Sequence, residues 1–223
     1  MADDTDATQP VDRMPMRVLV FSASHRAASL NTRLARLAIE ALEATDVEVD
    51  VATMADFDCP SYDGDLESSV GVPEPAQEFA RRIEASDGVI ICSPEYNASM
   101  PGVLKNAIDW TSRLKPQPFA GAHCLLMSAS PSMVGGNRSL WSLRVPLEHL
   151  GTRVHPDMFS LAQAHSAFAD DGQLANEQLG GRLRGLVSAW VDVVEATKHY
   201  PCAKARWVEF LGEQPEPAID RVQ

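Results

Sequence analysis

Short, strongly apolar runs alternate along this chain with stretches whose apolar residues recur at the period of a helix. Met16 to Phe21 predicts a first strand that ends at Ser22 and Ala23. Leu30, Leu34, Leu37, Ile39 and Leu42 then mark a helix from about Ser29 to Ala44. Val47, Val49 and Val51 alternate with acidic residues and predict a partly exposed second strand. Met54 to Gly71 offers no period and is expected to be a long loop. Ala76, Phe79, Ala80 and Ile83 give the inner face of a helix over Pro75 to Glu84. Val89 to Cys92 is all apolar, as a strand covered on both faces of a parallel sheet should be.

Ser99 is placed to cap the next helix, with Pro101 in its first turn and Val103, Leu104, Ala107 and Ile108 facing inward. Ala122 to Ser128 predicts a fourth strand, Asn137 to His149 a helix and Thr152 to His155 a short fifth strand. A last helix over Asn176 to Tyr200 would bury Leu179, Leu183, Leu186, Val187, Trp190 and Val194. Strands alternating with helices in this way predict an α/β three-layer sandwich around a five-stranded parallel sheet. The expected strand order is 2-1-3-4-5, with ligand-binding loops at the carboxyl ends of strands one, three and four. Residues 1–15 are polar and acidic and are expected to be a disordered leader without signal-peptide features, residues 16–200 the domain, and residues 201–223 a tail outside the core.

Composition narrows the function. The chain has 223 residues, is 45% hydrophobic and carries a formal charge of -12, which suits one sizeable core. That charge argues against a nucleic-acid backbone or an anionic membrane as the main partner, though a helix N-terminus and a nearby Arg still bind a phosphate locally. No apolar run is long enough to span a bilayer, and a cytoplasmic location is expected. The four cysteines, Cys59, Cys92, Cys124 and Cys202, form no close pair, and Cys92 and Cys124 are expected to be packed thiols. The six histidines show no metal-ligand spacing, so no metal is expected. A serine-hydrolase elbow of the GxSxG type is absent from the sequence.

Chemistry concentrates in three loops. In Ser22-Ala23-Ser24-His25-Arg26-Ala27-Ala28-Ser29-Leu30-Asn31, hydroxyls, a guanidinium and an amide precede a helix whose free N–H groups favour an anion. The loop has neither GxGxxG nor a Lys-Ser/Thr ending, so a monophosphate suits it better than a dinucleotide pyrophosphate or ATP. Ser29 also fits the simpler use of capping the helix. The second loop, Ser93-Pro94-Glu95-Tyr96-Asn97, offers a carboxylate, a phenol, an amide and backbone groups to a flat polar ligand. Glu95 suits either a general acid or a brace accepting backbone N–H groups. In the third loop, Ser128 to Arg138, Gly135-Gly136 allows close backbone approach or unusual dihedrals. Arg138 is placed to reach an acid or a phosphate, with a surface ion pair as the plainer use.

Together these loops resemble the NADPH-dependent FMN reductase family, which includes flavodoxin-like quinone and azo-dye reductases. The likeness spans approximately Met16 to Trp190 and is most specific over Ser93 to Trp110. It implies a flavodoxin-like fold, FMN as cofactor and NADPH or NADH as electron donor. Ser24, Arg26, Ser29 and Asn31 would hold the FMN phosphate. Pro94, Glu95, Tyr96 and Asn97 would lie against ribityl and isoalloxazine, helped by Ser130, Gly135 and Gly136. The implied reaction is ping-pong: hydride passes to flavin N5, then electrons pass to a small acceptor such as a flavin, a quinone or an azo compound. No side chain is then expected to act as a catalytic acid or base. Family members form homodimers and homotetramers, for which aromatics around Trp110 and Trp141 are available. This chain has Ala23 where the family often has Gly, and His25 where it has an apolar residue. The alternative is a flavodoxin-type electron carrier that does not oxidise NAD(P)H directly. No motif marks a pocket for the adenosine end of the donor, which leaves NADPH and NADH open.

Overall fold

The computed structural model describes residues 15–26 and 28–199. β1 (Met16–Ser22) lies between β2 (Val47–Thr53) and β3 (Gly88–Cys92), and β4 (His123–Ala129) follows β3, all in parallel. β5 (Arg153–Val154) pairs with the start of β4 and completes the expected order β2-β1-β3-β4-β5. The helices are α1 (Leu30–Glu43), α2 (Gly64–Val70), α3 (Glu74–Glu84), α4 (Gly102–Thr111), α5 (Asn137–His149) and α6 (Glu177–His199).

The three layers follow from strand alternation. Val18 and Val20 of β1, with Ile90 and Cys92 of β3, face a core that contains Leu34, Ala38 and Leu42 of α1 and Leu183, Val187 and Trp190 of α6. Their neighbours Leu19, Phe21, Val89 and Ile91 face the opposite core, against Phe79 and Ile83 of α3, Leu104 and Ile108 of α4, and Leu140 and Leu143 of α5. Both faces of the sheet are thus covered, which is why its central strands read as continuous apolar runs. Gly88 makes room for α6: a Cβ there would stand 2.6 Å from the Trp190 ring.

The structure departs from the sequence reading in several places. The expected loop over Met54 to Gly71 contains a 3₁₀ turn, Met54–Phe57, and α2. Asp63 caps α2 by accepting the Asp65 N–H at 2.8 Å, but the helix has no buried residue and so shows no apolar period. A sixth strand, β6 (Phe159–Leu161), runs parallel to the end of β4; its three residues are too few for alternation to show. Ser99 does not cap α4. Pro101 occupies that position, and Ser99 pairs with Tyr96 across a tight turn. Met1 to Met14, Ala27 and residues 200–223 lie outside the described residues, and with them most of the leader, the tail, Tyr200 and Cys202. No helix among the described residues is long and apolar enough to cross a membrane.

Candidate functional site

The register aligns Ser22 of β1 with Cys92 of β3, and Cys92 with Met127 of β4. Backbone bonds carry the pairing one step further: Ala23 N donates to Cys92 O at 2.9 Å and Ser93 N to Met127 O at 2.8 Å. The three loops therefore leave one edge of the sheet side by side. The crevice lies where the chain order reverses between β1 and β3, the usual ligand position in such sheets.

Two braces hold the loops together. Asn31, buried in the first turn of α1, donates Nδ2 to Ala129 O and accepts Ala129 N–H at Oδ1, both at 2.9 Å. A side chain is thereby docked like a strand edge onto the end of β4, joining the first loop to the third. The second brace is Glu95, whose side chain is only 6% exposed. Its Oε1 accepts from Arg138 Nη2 at 2.6 Å and Nε at 2.9 Å, and its Oε2 accepts the Arg138 backbone N–H at 3.1 Å. A carboxylate at the N-terminus of α5 is favoured by the helix dipole as well as by the guanidinium. Of the two uses open for Glu95, the geometry is that of the brace, and Arg138 is the acid's partner.

Sequence reasoning missed two serines that complete this joint. Ser139 Oγ donates to Pro94 O at 2.9 Å and lies 3.0 Å from Ser93 Oγ. Ser142 Oγ accepts the Met100 N–H at 2.9 Å. They stand three residues apart on α5, so they share the face turned to the second loop. Their spacing was the available signal.

Between the braces is a cavity of about 90 Å³ lined by Ser24, Arg26, Ser29, Asn31, Pro94, Glu95, Tyr96 and Ser130, among others. Eight of the eleven residues nominated from the sequence meet there. Asn97 is exposed beside Tyr96, and Gly135 and Gly136 are buried behind the third loop. Ser29 caps α1, its Oγ accepting the Asn31 N–H at 3.2 Å, which still leaves the hydroxyl proton to donate. No acid stands in the first turn of α1, and the Arg26 side chain has no ion-pair partner among the described residues. Such a donor set suits a phosphate. The cavity is small but has room for a phosphate group. A larger cleft of about 460 Å³ opens on the β2 side of the same loop and shares Ser24 and Arg26.

Nucleophile and metal chemistry find little support nearby. Burial pushes the Cys92 thiol well above its ordinary range, so it stays protonated at the foot of the second loop. Cys59 is raised to about 11 by burial and by the Asp58 charge. Among the described residues no group of His, Cys, Asp and Glu could hold a metal ion.

A sequence profile described as NADPH-dependent FMN reductase matches residues 16–166, all three loops included. The chain belongs to that family. It is 32% identical over 185 residues to a quinone reductase of Escherichia coli K12, covering 82% of this chain and 97% of that one. It is 34% identical over 166 residues to an NAD(P)H-dependent FMN reductase of Pseudomonas aeruginosa, covering 73% and 86%. Among solved structures it resembles the flavoenzyme NAD(P)H:(acceptor) oxidoreductase FerB of Paracoccus denitrificans, with TM-score 0.70 and 33% identity over 81% of this chain and 97% of that one.

In this chain the distinctive stretch Ser93 to Trp110 divides its work. Its first half forms the cleft loop; its second half fastens a neighbouring loop. Asn106 donates to Cys59 O at 3.1 Å and Pro60 O at 2.9 Å and accepts the Tyr62 N–H at 2.8 Å. Trp110 Nε1 donates to Pro60 O at 2.8 Å with the indole fully buried, so Trp110 packs in the core and is not available for a contact between subunits. Trp141 is exposed. The tip of the second loop turns through Asn97 at φ 51° and Ala98 at φ 62°. Asn tolerates that left-handed region and Ala does not, so strain sits on Ala98. Ala98→Gly is expected to stabilise the protein by about 0.5–1 kcal/mol, read as a higher denaturation midpoint. A lower midpoint would show that the Ala98 methyl makes a contact worth more than its strain.

Proposed function

We propose that this protein is an FMN-containing oxidoreductase that oxidises NADPH or NADH and reduces a small acceptor, a flavin, quinone or azo compound, at the same site. One observation carries the reading: in a chain of this family, three loops converge on a phosphate-sized cavity with an uncompensated guanidinium at a helix N-terminus. FMN, when bound, supplies the hydride-accepting chemistry. The chain supplies position and field. Arg26, Ser24, Ser29 and the first turn of α1 would hold the phosphate. Asn31, engaged with Ala129, serves that site by fixing the loops rather than by reaching the ligand itself. Tyr96 and Asn97, both exposed, would meet the flat ring together with Ser130, while Pro94 and Glu95 fix the loop that presents them. Gly135 and Gly136 would let the third loop pass close behind.

The decisive test is an anaerobic titration of FMN-loaded protein with NADPH and NADH, followed at the flavin absorbance bands. Bleaching by either donor, and recovery on adding a quinone, is the expected result. A bound flavin that neither donor bleaches would favour the electron-carrier alternative, and failure to take up FMN would end both readings. Within this scheme Arg26→Ala is expected to weaken FMN binding about tenfold while leaving stability unchanged, because the side chain is exposed. Flavin fluorescence quenching measures it, and an unchanged affinity removes Arg26 from the phosphate site.

A further inference from the structure

We propose that the larger cleft beside the phosphate loop receives the adenosine end of the electron donor, and that Arg36 there recognises the 2′-phosphate that distinguishes NADPH from NADH. This rests on the oxidoreductase reading above. The sequence carried no motif for that end of the donor; the fold assembles one from separate elements.

The cleft, about 460 Å³, lies between α1, β1 and the end of β2 and meets the phosphate cavity at Ser24 and Arg26. Its lining includes the partly exposed apolar residues Ile39 and Val51, which suit a flat base. Arg26 and Arg36 line the cleft as well, and neither guanidinium has an ion-pair partner among the described residues. Arg36 lies six residues into α1, about 9 Å along its axis from the first residue. Arg36 thus stands away from the N-terminal turn that would hold the flavin phosphate, where it can meet a separate phosphate on the donor. A planar guanidinium is the side chain best matched to a phosphate monoester.

The test is calorimetric titration of the full-length FMN-loaded protein with adenosine 2′,5′-bisphosphate and with adenosine 5′-monophosphate, together with KM for both donors. The bisphosphate is expected to bind more tightly. Arg36→Ala should weaken it about tenfold, leaving the monophosphate and FMN retention unmoved. KM for NADPH should rise by a similar factor, with kcat and the NADH KM unchanged, and Arg36→Lys should restore part of the loss. Arg36 is exposed on a helix, so alanine there leaves folding intact. Equal binding of the two nucleotides by the parent, or an Arg36→Ala protein with unaltered preference, would overturn the assignment. If such a protein still takes up FMN and is bleached by NAD(P)H, only the cleft assignment falls. If FMN uptake or bleaching fails, the oxidoreductase reading falls instead, and the same two titrations on the FMN-free chain still decide the cleft.

Discussion

Asn31→Asp is expected to destabilise the protein by about 3 kcal/mol at neutral pH and to lose most of its FMN affinity with it. The two atoms exchanged are an NH₂ and an oxygen, so shape is preserved and the effect is chemical. Nδ2 now donates to Ala129 O in a site that is 2% exposed. With aspartate, an oxygen faces that carbonyl, and either a buried charge or a proton must be accommodated. Desolvation raises the folded pKa of the new carboxyl above its unfolded value of about 3.9. A group so raised contributes stability below the unfolded pKa and loses it as pH rises through the folded one. The deficit relative to the parent should therefore be smallest near pH 4, where the protonated acid can donate to Ala129 O, and should grow toward pH 8. Urea midpoints across that range measure it, at unchanged m-value. A deficit independent of pH would mean that the carboxyl has turned away from Ala129. Asn31→Ala, which removes both bonds, is expected to show a comparable loss without the pH dependence.

This residue also marks the limit of what the sequence disclosed. The ends of α1 and α5 and the strands β1, β3 and β4 were legible because both faces of a covered sheet demand unbroken apolar runs and each helix shows its own period, whereas the order of the strands leaves no mark in that pattern. Ser24, Arg26, Ser29 and Asn31 were legible as a group, since polar residues before a helix at the end of a strand point to an anion. Their division of labour was not. Asn31 bonds a residue 98 positions away, and nothing local to either segment announces that bond. The same holds for Ser139, Ser142 and Arg36, none of which the local pattern of their helices singles out. α2 and β6 escaped for different reasons: one buries nothing and the other is three residues long. The helical apolar pattern of Trp110 suits core packing as well as a subunit contact, and its buried indole, bonded to Pro60, belongs to the core.

Gly135→Ala is expected to cost about 3–5 kcal/mol, more than Gly136→Ala, although the two glycines are adjacent and both have positive φ. The difference lies in what each would strike. A Cβ on Gly135 would stand 2.8 Å from Ala162 N and Leu161 C and 2.9 Å from Ser160 C, all backbone. That backbone includes β6, fixed by pairing with β4 and by the Ser130 N–H donated to Leu161 O at 3.1 Å, so it yields only by breaking the sheet edge. A Cβ on Gly136 would instead meet Ser128, whose Oγ and Cβ are the nearest atoms and whose Oγ has no hydrogen-bond partner. Removing that hydroxyl takes away the worst overlap and no bond. Gly136→Ala alone should therefore cost about 2–3 kcal/mol, and adding Ser128→Ala should recover part of it, leaving the left-handed strain of about 1 kcal/mol and the close approach to the residue 128 Cβ. Gly135→Ala has no such partner and should not be rescued. Denaturation midpoints of the two single variants and the double variant test the contrast, with FMN binding as the functional readout of the third loop. Equal losses at both positions, or no recovery in the double variant, would show that conformation alone explains the glycine pair. The predicted asymmetry would instead mark Gly135 as the point where the third loop is threaded against β6, the passage that sets how closely it can approach a bound ligand.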